Sequence, residues 1–191
     1  MNLKLLLEVY KGDWFMAKLY GLGNVIISDV LTRLITNPDF YKLVYYKDID
    51  EEGEDILSMP DLEDPVSELY RKQVWLQRRP DKVLHNQDVN VFITLEDFRN
   101  ESAKNPNIKT MTFKVAVLVH KECLLTPNGS RDIALLNCVS DIVEKDEYFK
   151  GLGRCSVYRV NHLFGLGMEY SGYEIICRVD GIQGKVKSSY E

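Results

Sequence analysis

Three histidines and four cysteines are the side chains of this 191-residue chain best suited to metal or acid–base chemistry. His120-Lys121-Glu122-Cys123 sets an imidazole three residues from a thiol. On a strand such residues point to opposite faces, so they do not readily grip one ion. A composite centre would have to recruit His162 and Cys155 from another strand, without the paired close ligands that mark most zinc sites. Neither these histidines nor His85 lies beside an obvious nucleophile, which leaves them as hydrogen-bonding side chains. Cys123, Cys138, Cys155 and Cys177 have no C-x-x-C spacing and lie in apolar surroundings, as reduced, buried thiols do. Gly-Leu-Gly occurs at 21, 151 and 165, but Ile26, Ser156 and Tyr170 stand where a dinucleotide fingerprint needs its third glycine. No Walker sequence and no G-x-S-x-G elbow occurs. The expectation is a chain with no catalytic residue, no metal and no cofactor.

Charge and aromatic content point instead to contact surfaces. From Asp48 to Glu68 there are 10 acidic residues and no Lys or Arg; outside it 24 basic residues face 19 acidic ones, so a chain of net charge -5 is a body of +5 with one acidic stretch. That stretch is either a solvated loop or a partner-binding arm. Arg71, Lys72, Arg78 and Arg79 surround Trp75 and can meet phosphates or a base, yet the overall charge is negative and no nucleic-acid reader motif is present. The acidic stretch is the nearer partner for this basic cluster, within the chain or on a neighbour. Eleven tyrosines and two tryptophans add interface character, with Trp75, Tyr158, Tyr170 and Tyr173 on strands or hairpin ends. The contact residues expected on these grounds are Asp50, Glu51, Glu54, Arg71, Trp75, Arg78, Arg79, Tyr170 and Tyr173.

The elements that position these residues follow from hydrophobic period and turn chemistry. Ser28, Val30, Leu31, Leu34 and Ile35 space a helix that starts after Gly21-Leu22-Gly23-Asn24 and stops at Asn37-Pro38; a second short helix covers Asp39 to Tyr46. Asp48 to Asp64 reads as an exposed acidic loop. Asp64-Pro65 caps a helix from Val66 to Gln73, followed by an extended piece from Val74 to Arg79. Val89 to Leu95 alternates as a half-buried strand. Met111 to Val119 makes a longer strand, whose Ala116 and Leu118 require cover on the second face or another subunit. Asn100 to Asn107 is the polar loop between them.

Ser130 caps a helix with an apolar stripe of Ile133, Leu136, Val139 and Val143, closing near Lys150-Gly151. Strands from Cys155 to Phe164 and Met168 to Val179 follow, joined by Gly165-Leu166-Gly167. The order predicts one α+β domain over residues 1–191, with a mainly antiparallel sheet packed against one long helix. Residues 1–20 form an N-terminal arm and 48–64 the acidic loop. The longest apolar runs fall far short of the roughly 20 residues that cross a bilayer. Glu8 interrupts the apolar start, which makes a poor secretory signal and predicts a cytoplasmic product.

Several short phrases in this order resemble the small neck proteins of tailed bacteriophages, the tail terminator or head–tail joining type. They are Leu-Gly-Asn-Val-Ile-Ile-Ser-Asp-Val-Leu from Leu22, Thr94-Leu95-Glu96-Asp97-Phe98-Arg99, the long strand reaching His120, Gly129-Ser130-Arg131 before a helix, and Tyr170-Ser171-Gly172-Tyr173 in the closing hairpin. The resemblance covers most of Gly21 to Ile182 and rests on element order and these phrases, without a catalytic signature. It implies a structural virion protein, made in the host cytoplasm, that forms a ring, usually a hexamer. Such a ring caps the tail tube, docks to the head connector or adaptor and lets genomic DNA pass non-specifically through its channel. The family-like part begins near Met16-Ala17-Lys18-Leu19-Tyr20, which points to translation starting at Met16. Two alternatives stay open: a small enzyme with a composite His120, Cys155 and His162 site, and a regulatory protein-binding module.

Overall fold

A computed structural model describes residues 20–47, 55–76, 88–102, 105–145, 154–163 and 169–183. Helix α1 (Tyr20–Thr36) buries Ile26, Val30, Leu34 and Ile35 along one face. It begins before the Gly-Leu-Gly that was expected to precede it. Gly23 lies inside the helix, where a Cβ would come within 3.3 Å of Leu95 Cδ2, so glycine here lets the first turn lie close on the sheet. Asn37 ends α1 and caps α2 (Pro38–Tyr45), accepting a hydrogen bond from the Phe40 N–H at 3.0 Å.

The 55–64 part of the expected acidic loop is not a free excursion. Asp55 caps a one-turn 3-10 helix whose Ile56 is wholly buried. The Tyr46 hydroxyl donates to the Pro60 carbonyl at 2.9 Å, and Lys42 reaches Asp61 at 2.9 Å. α3 (Pro65–Leu69) stops four residues before the expected Gln73. Arg71 takes a left-handed φ of 62°, and its N–H turns to the Val74 carbonyl, which ends helical geometry. Gln73 is buried and donates to the Val44 carbonyl at 2.9 Å, binding this turn to the end of α2.

β1 (Val74–Trp75) runs parallel to β2 (Val89–Ser102), and β2 forms a hairpin with β3 (Asn105–His120). The polar residues from Asn100 onward stay in the ladder as far as the Ser102–Asn105 pair. The expected loop is thus mostly strand, because an antiparallel partner satisfies the backbone whatever the side chains are. After His120 come a short turn, the small strands β4 (Leu125–Thr126) and β5 (Gly129–Ser130), α4 (Arg131–Glu144), β6 (Arg154–His162) and β7 (Tyr170–Gln183). The sheet order is β1-β2-β3-β7-β6, antiparallel except for β1 with β2. The α+β class with a mainly antiparallel sheet is therefore as expected.

One face of the sheet carries Val91, Ile93, Phe113, Val115, Ile175 and Cys177 and forms a continuous core with the helices. α4 packs on it through Leu135, Val139, Ile142 and Val143, so Val139 and Val143 of the expected stripe face inward, whereas Ile133 is 48% exposed and Leu136 is only half buried. The cause is Arg131, which is fully buried and heads an inward row with Leu135 and Val139. α4 also ends at Glu144, short of the expected Lys150-Gly151, which lies outside the described residues. The Glu144 carboxylate accepts from the Val157 N–H of β6 at 2.9 Å. On the second face Phe92 and Leu118 are buried beside Trp75, Ala116, Leu163 and Tyr170, which supplies the cover that Leu118 required. No described helix is long and apolar enough to cross a membrane.

Candidate functional site

The start of α4 gathers buried polar side chains. Arg131 Nη1 donates to the Tyr46 carbonyl at 2.7 Å and Nη2 to the Lys47 carbonyl at 2.9 Å. Two adjacent carbonyls suit the planar guanidinium fork, which can meet both at once. Its neighbour Asp132, also buried, accepts from the hydroxyls of Ser130 and Ser171 and from the Ile133 N–H. Ser130 occupies the cap position as expected, but its hydroxyl serves Asp132 and makes no capping bond to the helix backbone. Just ahead of it, Asn128 donates to the Asp55 carboxylate. The chain on either side of residues 48–54, at 46–47 and at 55, is therefore fastened to the turn that opens α4. None of Arg131, Asp132 and Ser171 was among the expected contact residues. Their signal in the sequence is the pair of phrases Gly129-Ser130-Arg131 and Tyr170-Ser171-Gly172-Tyr173, which the fold brings together.

The expected contact residues divide. Asp50, Glu51, Glu54, Arg78 and Arg79 lie outside the described residues. Arg71 is exposed, with its guanidinium 5.4 Å from the Tyr70 ring centre. Lys72 pairs with Glu68 of its own chain at 3.0 Å. Trp75 and Tyr170 both pack on the Phe92 and Leu118 cluster of the second face, where Tyr170 meets His120 edge-on at 5.1 Å. The Trp75 indole N–H is buried without an acceptor among the described residues. Tyr173, an odd number of residues along β7 from Tyr170, lies on the opposite face against His162 at 5.1 Å. Tyr158 alone of the four aromatics projects fully, at 67% exposure.

Charged side chains on the second face are also paired. Lys114 sits between Glu174 at 2.9 Å and Glu96 at 3.4 Å, and Asn161 donates to Glu174 at 3.1 Å. The Glu174 hydrogen bond raises the Lys114 pKa against the opposing cost of burial. Burial works to raise Glu174 as well, but the hydrogen bonds from Lys114 and Asn161 prevail and hold it below the usual carboxylate range.

The composite His/Cys centre does not assemble. His120 pairs with Tyr170 and Cys155 with Val179, nine residues further along β7. At ~3.3 Å per strand residue the two are about 30 Å apart. His120 Nδ1 accepts from the Glu122 N–H at 3.3 Å, and Cys155 lies in the core beside Cys177. His85 lies outside the described residues. Cys123, Cys155 and Cys177 are buried and reduced as expected, whereas Cys138 is only partly covered.

No curated protein matches the chain. The sequence profile of one family, YomW, matches residues 37–179, which run from the cap of α2 into β7. The matched part thus holds the acidic stretch, the turn that fastens it and the whole of α4, and the chain belongs to the phage-related YomW family.

Proposed function

We propose that this chain is a structural protein of a tailed-phage particle, a tail terminator or head–tail joining protein that works as a ring, with six subunits as the expected number. In this reading the ring sits in the neck of the virion, caps the tail tube and meets the head connector or adaptor. DNA passes through its channel without sequence-specific contact. No reaction is assigned to the chain.

The observation that carries the reading is the fastening of the chain on either side of residues 48–54, the first part of the acidic stretch. Arg131 holds the carbonyls of residues 46 and 47, and Asn128 holds Asp55. A dense run of carboxylates on a fixed base suits an electrostatic contact whose register must be the same in every subunit, since complementary charge sets register and partner choice more than affinity. Membership in a phage-related family supports the same reading. The described basic residue Lys72 is taken by Glu68 of its own chain, so the partner of the acidic stretch is sought outside the chain, on a neighbouring copy or an adjoining ring.

The test is light scattering and negative-stain microscopy of the full chain, alone and mixed with phage tail tubes. Rings or caps on tube ends are the expected result. A chain that remains monomeric in both conditions overturns the proposal.

A further inference from the structure

β6 forms one edge of the sheet, with β7 as its partner strand among the described residues. Such an edge offers a row of main-chain N–H and C=O groups to another chain unless something blunts it, and here the Glu144 carboxylate takes one of them, the Val157 N–H. Over its length Arg154, Tyr158, Arg159 and Val160 are exposed, with Tyr158 at 67% and Val160 at 40%. A register shift between Val157 and Arg159 leaves Tyr158 out of the ladder, which lets its ring stand clear of the sheet. The strand thus presents two apolar groups and two arginines, and no carboxylate occurs from Arg154 to Leu163.

The opposite edge is β1, and the 55–76 stretch that leads into it is acidic. It carries Asp55, Asp61, Glu63, Asp64 and Glu68 against Arg71 and Lys72. The two edges of one sheet therefore differ in sign. We infer that the β6 edge of one copy docks on the 55–76 edge of the next copy, head to tail. The inference rests on the ring reading and names its contact.

Charge disfavours the simplest rival. In a two-fold contact of β6 with β6 both strands bring arginines and neither brings a carboxylate, so nothing within the paired strands compensates them. A head-to-tail contact sets arginines against carboxylates and uses both edges of every copy. Such contacts close into a ring when the rotation between copies permits. The occupant of the β6 edge is thus a second copy of this chain, presenting its acidic edge.

The test compares full-length wild type with Tyr158→Ser, Arg159→Glu and Glu63→Arg, each alone and on phage tail tubes, by light scattering and microscopy. All three positions are exposed, and thermal unfolding checks that the variants are folded. Each variant should weaken self-association roughly tenfold or more, as truncating or reversing an interface anchor does. A mixture of Arg159→Glu with Glu63→Arg should recover assembly with the two variants alternating, because both contacts between unlike copies set an arginine against a carboxylate, whereas each contact between like copies opposes two charges of one sign. Assembly unchanged in all three variants overturns this contact and leaves the ring reading standing. Loss of assembly in Arg159→Glu together with normal assembly in Glu63→Arg overturns the head-to-tail direction. A wild type that is monomeric in every condition overturns the ring reading and this contact together.

Discussion

Arg131 shows how one side chain can set the placement of everything around it. A guanidinium wholly inside the protein is tolerated because it donates to the carbonyls of Tyr46 and Lys47, and those carbonyls in turn need it, since α2 has already ended. Arg131→Met keeps most of the volume but strands both acceptors, so the expected loss is about 3 kcal/mol in urea unfolding. Arg131→Lys should recover only part of it, since an ammonium cannot span both carbonyls as a fork does. A loss under about 1 kcal/mol for the methionine variant would show that the tie is dispensable. Trp75 is the reverse case. Its indole N–H is buried with no acceptor among the described residues, so Trp75→Phe removes a desolvation cost along with some packing area. The change in stability should be within about 1 kcal/mol of zero, where a large core aromatic truncated to alanine loses 3–5. Neither behaviour can be read from residue type alone. Sequence reading put Arg131 in a phrase without a role and took Trp75 for an outward contact.

At the scale of elements, strands and caps were legible and helix phase was not. The caps Asn37 and Asp64 follow from local chemistry, because the side chain that satisfies the first turn sits beside it in sequence. The face that α4 buries depends on partners 85 residues away, so an apolar count that excludes arginine puts the helix in the wrong rotation. The end of α3 was missed for a related reason, a left-handed arginine that no local rule predicts. The tie of 55–64 to α2 yields a pH prediction. The Lys42 hydrogen bond, with a second from Tyr41, lowers the Asp61 pKa, and the Asp61 hydrogen bond raises that of Lys42. A depressed carboxylate stabilises above its unfolded value near 3.9, and that contribution is lost as pH falls through the lower folded value. A raised lysine contributes below about 10.4 and loses its contribution as pH rises through the higher folded value. The tie should therefore hold between these limits and loosen in acid. Amide exchange at Ile56 to Leu62 should quicken below about pH 4 relative to the β3 core, and Asp61→Asn should remove that pH dependence. Exchange that follows β3 at every pH would disprove the tie. Gly172 gives a second prediction for an element. A Cβ there would meet the Val117 carbonyl oxygen at 2.0 Å, so Gly172→Ala must push the start of β7 from the end of β3. A thermal midpoint lowered by several degrees is expected, and an unchanged one would contradict the close approach.

For the whole molecule, the class of fold was readable because alternation of period two in β2 and β3 and the helical period of α1 are set by which residues must leave water. The site was less readable: of the expected contact residues only Trp75 and Tyr170 share one cluster, and the fastening at Arg131, Asp132 and Ser171 joins segments far apart in sequence. The four thiols test whether the folded body is one cooperative unit. Cys123, Cys155 and Cys177 are buried, spread over the turn after β3 and the β6 and β7 strands. The hydrogen bond from Cys155, with burial added, pushes the Cys177 pKa far above that of a free thiol, and burial with Asp39 and Asp141 nearby pushes Cys138 up to about 12. Since only the thiolate attacks, native protein at pH 8 should react slowly with an aromatic disulfide reagent at all four positions. In rising urea the thiols of Cys155, Cys177 and Cys123 should become reactive together, at the midpoint seen by circular dichroism, because each is covered by the same core. Cys123 reacting well before the β6–β7 pair would mean that the turn after His120 opens on its own. The fastening of α4, and with it the fixed base of the acidic stretch, would then not survive as part of the cooperative fold.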